Sequence, residues 1–370
     1  MKRLSCACYL VFPLGLLVHS AYADDKAANT DQLIAQADRP MYSQPESLAD
    51  PVAVTPQSTT AEHHVLPIWG DAARAKGYDL PLPFGVGMSY MNMRQNIDVD
   101  SISFSGLSLP LPSGGAHAIP GDMFNIAVGN TREKSETETL RLDTWLFPFL
   151  NVYVVVGYTD GSSVSQVSVD ADPAKYTCPR KGKKAGCHLD TAIASAVHAM
   201  NQSGKLQNID FQLDFKGMTY GAGFTLAGGY KNWFTAVDTN YTRTNFDILD
   251  GKISALTVTP RVGYRFDTPG NETLHLAPGH LSLWVGTMYQ DVQQEFRGNL
   301  SDLQMPTELV NLINLVNQDD QGKFDVKQHL KSPWNVLIGT QYEVSKNFNI
   351  LAEVGFSERN SFFISGEYRF

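Results

Sequence analysis

The sequence predicts an all-β chain: a transmembrane, antiparallel up-and-down β-barrel of about 10 strands (about 8–12), with short helices in the N-terminal segment and outer loops. Three observations point there. From Phe84 onward, apolar and polar residues alternate with a period of two in one segment after another, the pattern of strands with one greasy and one polar face. Connections alternate between tight turns (148–151, 231–232, 345–347) and long loops (170–208, 298–323), the asymmetry of a membrane barrel. No run reaches the roughly 18 apolar residues of a membrane helix, and a mean hydropathy of -0.20 suits strands of which only every second residue faces lipid.

Taken in order, residues 1–23 read as a secretory signal peptide. Lys2 and Arg3 form a charged start, Tyr9 to Val18 an apolar core, and Ala21-Tyr22-Ala23 the small residues at the cleavage positions. The apolar run is too short for a membrane anchor. Cys6 and Cys8 precede it, badly placed for a lipid anchor, and cleavage after Ala23 would remove both. Without Lys2 and Arg3, 27 Lys plus Arg remain against 38 Asp plus Glu, a net charge of -11; this speaks against nucleic acid as a partner. Residues 24–62 are polar and Pro-containing with few large apolar side chains, so they read as a disordered periplasmic tether. In 63–83, Asp71 can cap a short helix through Lys76 that Gly77 closes, and Trp69, Tyr78 and Leu80 offer packing surface. This segment is expected to dock at the periplasmic mouth or enter the lumen as a small plug; the alternative is a plain linker.

The barrel is read over 84–370. The first strand sets Val86, Met88 and Tyr90 against Gly85, Gly87 and Ser89. The second descends to Phe147 with Leu140, Leu142 and Leu146 opposite Arg141 and Asp143, its polar upper part above the membrane, and the third climbs over 152–169. Over 211–230, Met218, Tyr220, Ala222, Phe224 and Leu226 interleave with Thr219, Gly221, Gly223 and Thr225. Residues 233–248 put Val237 and Tyr241 out, Asp238 and Asn240 in. Over 255–267, Leu256, Val258, Val262, Tyr264 and Phe266 oppose Thr257, Thr259, Arg261, Gly263 and Arg265. Strands at 281–297, 324–344 and 348–356 precede the last, 361–370. The total is even, which brings both ends to one side. Aromatics gather at strand ends, among them Tyr230, Trp233, Phe266, Trp334 and Phe348, as an interfacial girdle requires.

The final ten residues read S-F-F-I-S-G-E-Y-R-F, with Phe362, Ile364, Tyr368 and Phe370 on one face. This strand, ending on the carboxylate of an aromatic residue, resembles the C-terminal strand of Gram-negative outer-membrane β-barrels. The resemblance covers 84–370 as a class. It implies residence in the cell outer membrane among lipid and lipopolysaccharide, and a terminal aromatic face that serves as the signal for the barrel-assembly machinery.

The predicted inward face carries Arg141, Asp143, Asp238, Arg261, Arg265, Glu343, Glu353, Glu367 and Arg369. Such charges either form a selectivity ring for a small polar solute or pair into a core that plugs the lumen. A ring of this size is only modestly wider than the eight-stranded barrel that side chains fill, which favours the plug. Cys178 and Cys187, nine positions apart, are expected to form a disulfide in an oxidising compartment. Their loop bears Arg180, Lys181, Lys183 and Lys184, a cluster that either meets lipopolysaccharide phosphates or is simply solvated. A zinc site would want more ligands than the adjacent His188, and no metal or cofactor is expected. Asp190 is expected to cap a helix over 191–200, and Pro306 to start another with Leu309, Leu312, Ile313 and Val316 on one stripe.

These features support a non-enzymatic barrel, either a narrow pore or a surface-exposed binding or structural protein. The alternative is an outer-membrane hydrolase of lipid A, phospholipid or peptide, with Ser–His or Asp–His pairs at the extracellular rim. His63, His64, His117, His188, His198, His275, His280 and His329 supply imidazoles, mostly in loops and turns, but none lies in a motif that marks such a site.

Overall fold

The computed structural model describes residues 65–75, 80–112, 114–178, 186–247, 250–270, 279–303, 310, 313–314 and 316–370. The expected leader and tether, the side chains of Arg180, Lys181, Lys183 and Lys184, and most of the helix expected from Pro306 lie outside these residues. In chain order the strands are β1 (Phe84–Ser105), a small hairpin β2 (Ser108–Pro110) and β3 (Ala116–Ala118), β4 (Asn125–Phe147), β5 (Leu150–Asp170), β6 (Ile209–Tyr230), β7 (Trp233–Phe246), β8 (Lys252–Thr268), β9 (Gly279–Asn299), β10 (Lys323–Leu330), β11 (Trp334–Ser345), β12 (Phe348–Phe356) and β13 (Arg359–Arg369). Helix α1 (Gly70–Ala75) precedes them and α2 (Cys187–Gln202) lies between β5 and β6.

Ten of these strands close on themselves in the order β1-β4-β5-β6-β7-β8-β9-β11-β12-β13 and back to β1, every neighbour antiparallel. The seam is sealed by the ends of the barrel. Phe84 and Phe370 exchange both backbone hydrogen bonds (3.1 and 3.0 Å), and their rings stack at 6.0 Å.

The ring has two storeys because its strands differ in length. β11, β12 and β13 have 12, 9 and 11 residues, close to the roughly 9–11 that cross a bilayer. β1, β4, β5, β6 and β9 have 21 to 23 and run about twice as far. Above the short trio, β10 pairs with both β1 (Ile97–Ser105) and β9 (Gln293–Asn299). It thereby bridges the gap, and the upper collar closes with eight strands instead of ten. The single strand expected over 324–344 is therefore two, with residues 331–333 stepping across the turn between β12 and β13. Pro333 sits at that step, where a residue without an N–H costs no ladder bond.

The faces exchange polarity between the storeys. Below, the outside is an apolar belt in which Leu142, Val154, Val262, Val285, Ile338, Val354 and Ile364 are exposed. Paired aromatics border it: Trp233–Tyr264 at 5.2 Å on the lower rim and Tyr289–Trp334 at 5.1 Å on the upper. Phe362, Ile364, Tyr368 and Phe370 all lie on this outward face. Above the belt the outside turns polar, with Lys134, Asp160, Asp210 and Lys327 exposed. The inside there becomes an apolar core around Phe211, Leu213, Phe215, Phe296, Phe324 and Val326. α2 caps this core with Ala194 and Val197. It begins at Cys187 instead of following an Asp190 cap; Asp190 lies in its first turn and binds His117 at 2.7 Å.

At the short-turn end of the barrel, α1 and its approach meet the turn between β4 and β5. Ile68 N–H donates to the Leu146 carbonyl at 2.8 Å, and the Trp69 ring lies 5.0 Å from that of Phe147. Inside the ring, Gly339 leaves room for an aromatic: a Cβ there would lie 2.2 Å from the Trp284 indole. Gly339→Ala is expected to lower the unfolding free energy by about 1–3 kcal/mol in detergent micelles titrated with urea. Gly228→Ala, where a Cβ meets nothing within 4 Å, is expected to stay within about 0.5 kcal/mol.

Candidate functional site: the filled lumen

Alternation brings the inward residues of distant strands to common levels, and three polar layers result. The lowest is built on Arg369, buried at 1% exposure. Its guanidinium donates to Asp143 Oδ1 at 2.9 Å, to Glu367, and to the Leu82 carbonyl at 3.1 Å. Arg141 donates to Asn151 Oδ1 at 2.9 Å and lies 3.6 Å over the Tyr153 ring. Tyr153 in turn donates to Asp238 at 2.8 Å, and Asp238 also accepts from Thr225 Oγ1 at 2.6 Å and Asn240 Nδ2 at 3.2 Å. Gly85 makes the layer fit: a Cβ there would fall 2.3 Å from Asp143 Oδ2 and 2.7 Å from Glu367 Oε1.

The middle layer is one forked ion pair between strands far apart in sequence. Arg261 Nε and a terminal guanidinium nitrogen donate to the two oxygens of Glu353 at 2.7 and 3.0 Å, and Trp284 Nε1 adds a third donor at 2.9 Å. Phe234 and Leu351 pack with Trp284. Bidentate geometry with every carboxylate oxygen engaged is the arrangement that offsets desolvation of a buried pair. Arg265 is buried at 3% exposure.

The upper layer marks the step from ten strands to eight. Glu133 accepts from Gln95 and Gln294 at 2.7 Å each, and Gln328 donates to Gln294. Arg359, 2% exposed, lies within electrostatic reach of Glu133. A ladder of hydroxyls (Thr137–Thr159–Thr219–Thr244, at 3.1, 2.7 and 2.7 Å) lines the wall.

Of the charges read from the sequence, the fold joins Arg141, Asp143, Asp238, Glu367 and Arg369 in one network and pairs Arg261 with Glu353. Glu343 is half-buried near the 345–347 turn and joins none of these pairs. Cys178 and Cys187 are bonded to each other. Sequence reasoning missed Tyr153, Asn151, Trp284, Glu133 and Arg359. A signal for two of them was present in the inward glycines: Gly223 and Gly339 face the Tyr153 and Trp284 rings, which a Cβ would strike at 2.6 and 2.2 Å.

At the outer rim, His117–Asp190, His198–Asp170 and His329–Asp100 lie at 2.7, 2.9 and 2.9 Å. Among the described residues, no hydroxyl or thiol is hydrogen-bonded to these imidazoles.

No family model matches the chain, and no curated protein matches it. Among solved structures it is similar to the transport unit of the autotransporter AIDA-I from Escherichia coli, at 10% identity over 77% of this chain and 90% of that one, with a TM-score of 0.33. It is also similar to the outer membrane protein OprG from Pseudomonas aeruginosa (12%, 79% and 100%, 0.29) and to the Ralstonia pickettii toluene transporter TbuX (9%, 79% and 90%, 0.28).

Replacing Glu353 with Leu removes the carboxylate from buried Arg261 and is expected to cost about 3–5 kcal/mol of stability, read as a lower urea midpoint in micelles. Pairing that change with Arg261→Met is expected to recover most of the loss. The closed ten-stranded ring, its apolar belt and the Phe370 strand that seals it are those of a transmembrane antiparallel β-barrel.

Proposed function

We propose that this chain is a non-catalytic outer-membrane barrel with a filled lumen, a rigid anchor that holds an eight-stranded collar at the cell surface for binding or structural support. The observation that carries the reading is the stacking of different fillings along one axis: paired charges in the bilayer storey and a packed apolar core above them. A small polar solute on that axis would have to part Arg369 from Asp143 and Arg261 from Glu353. It would then have to cross the Phe215, Phe246 and Phe296 rings, whose centroids lie 5.1 to 5.6 Å apart. Breaking one buried pair costs about 3–5 kcal/mol, so a conducting path is a rare state of this barrel.

Two further roles belong to the same reading. The outward Phe362, Ile364, Tyr368 and Phe370 are the face that the assembly machinery would engage, and lipid and lipopolysaccharide are the surroundings of the belt. The rim imidazoles act as ties, because each joins two outer elements: β3 to α2, α2 to β5, and β10 to β1.

Purified protein refolded into a planar bilayer is expected to give no current above the lipid background across about ±100 mV, the scale of a physiological potential. Steady ohmic steps from the unmodified chain would show an open axis and end this reading.

A further inference from the structure

The collar is sealed at its foot, where Ile97 on β1 pairs with Thr131 on β4, and above that rung these two strands part. Their ladder goes no further, although β1 runs on to Ser105 and β4 starts back at Asn125. Above the rung each keeps a partner on its other edge only, β10 for β1 and β5 for β4. Both strands are irregular just where they part, β1 between Val99 and Ser101 and β4 between Val128 and Thr131. A bulge bends its strand and adds twist, so the edges diverge and a slot opens between 98–104 and 125–130.

The slot lays the apolar core open. Ile102 and Phe104 face inward and are half-buried, while Val326 and Phe324, their partners on β10, are 3% and 2% exposed. Ile126 and Val128 repeat this on β4: half-buried, beside Val169 and Val167 on β5 at 4% and 2%. A cavity of about 700 Å³ lies at the upper end, with Met123 and Phe124 on its wall. The backbone is open too. Counting in twos from the Phe84–Phe370 and Trp145–Pro83 bonds, with one step for each bulge, the N–H and C=O of all four slot residues point into the slot. Gly121 agrees with the count, because a Cβ there would lie 2.7 Å from the Phe104 carbonyl oxygen. Among the described residues, no backbone group bonds to these four across the slot.

Lipid does not reach this level. Ile102 lies twelve residues beyond Tyr90 at the belt edge, roughly 30 Å higher at about 3.4 Å per residue and a tilt near 45°. Headgroups extend only about 7 Å past the hydrocarbon. The rim of the slot is acidic, with Asp98, Asp100, Asp122 and Asp172 exposed against Lys175. Asp100 is tied to His329. Arg132 lies below the last rung, and Lys323 stands one strand back, opposite Ser105 above the slot. Asp170, Asp325 and Lys327, also one strand back, are paired with His198, Arg297 and Glu295.

We infer that the slot is a docking site for an extended segment of another polypeptide, which enters as a strand between β1 and β4. Its alternate apolar side chains would lie on Ile102, Phe104, Ile126 and Val128, and its basic residues would face the acidic rim. In such strand addition main-chain hydrogen bonds supply affinity and the apolar contacts supply specificity. The inference deepens the proposed function and rests on it only for holding the collar outside the membrane.

The test uses the refolded full chain in phosphatidylcholine nanodiscs and a labelled peptide, Thr-Val-Lys-Val-Lys-Val-Thr, followed by fluorescence anisotropy. The comparison peptides are a scrambled order, a version with N-methylated Val, and one with Glu for Lys. The alternating peptide is expected to bind about tenfold more tightly than the scrambled and N-methylated forms, the worth of one or two net hydrogen bonds, and about threefold more tightly than the Glu form. Bound peptide should slow amide exchange in 98–105 and 125–130. Ile126→Pro removes a slot-facing N–H and spares the β5 ladder, and should weaken binding about tenfold. Ile102→Ser shortens the apolar strip and should weaken it about threefold. Heat-modifiable mobility on a gel reports that each variant is folded. No binding at millimolar peptide, equal binding of the scrambled and N-methylated forms, protection elsewhere, or full affinity in both folded variants would each overturn the site. So would a chain already dimeric through the slot, its 98–105 amides protected before peptide is added. A silent bilayer recording beside any of these results would leave the filled anchor standing, and ohmic steps beside specific strand binding would do the reverse.

Discussion

The whole structure depends on one constraint: in hydrocarbon, each backbone N–H and C=O must find its partner within the chain. A row of antiparallel strands meets this only by closing, and closing requires the last strand to reach the first in register. Here the two terminal aromatics of the barrel, Phe84 and Phe370, hold each other through both backbone bonds. The usual fraying of a chain end has no place in such an arrangement. The interior positions of Arg369 and Glu367 follow from it, because a slip of one residue would carry these charges into the lipid.

The second governing fact is the exchange of polarity between storeys. A single strand such as β6 has Phe224 and Tyr220 outside and Thr225 and Thr219 inside at bilayer depth, then Lys216 outside and Phe215 inside above it. The alternation never breaks; only its sense reverses. A ten-stranded ring needs large inward side chains to fill it, and Arg, Tyr and Trp span it when their polar ends are paired. The eight-stranded collar is narrow enough for Phe, Leu and Val to fill, as small barrels are. β10 is what makes the collar eight-stranded, so this short strand sets the character of the upper core.

Much of this was legible in the residues. The ten ring strands, their faces and the inward placement of Arg261 and Glu353 follow from a period of two, which local sequence states directly. The pairing of Arg261 with Glu353 was not legible, because 92 positions separate them and alternation fixes a face without fixing a level. The break between β10 and β11 was likewise hidden, since residues 324–344 look like one run until β9 and β1 are seen to need a partner above the short hairpin.

The central claim is that no water-filled path follows the barrel axis, and side-chain accessibility tests it most directly. Thr159, Thr219, Thr225 and Thr259, all inward and buried, can each be replaced singly by Cys, a change of similar size, while Cys178 and Cys187 remain bonded to each other. With a charged, membrane-impermeant thiol reagent, these four positions are predicted to stay unlabelled in the folded protein and to react only on unfolding, while exposed Asn96→Cys reacts at once. Labelling of the folded Thr219→Cys and Thr225→Cys variants at a rate near that of Asn96→Cys would contradict the account.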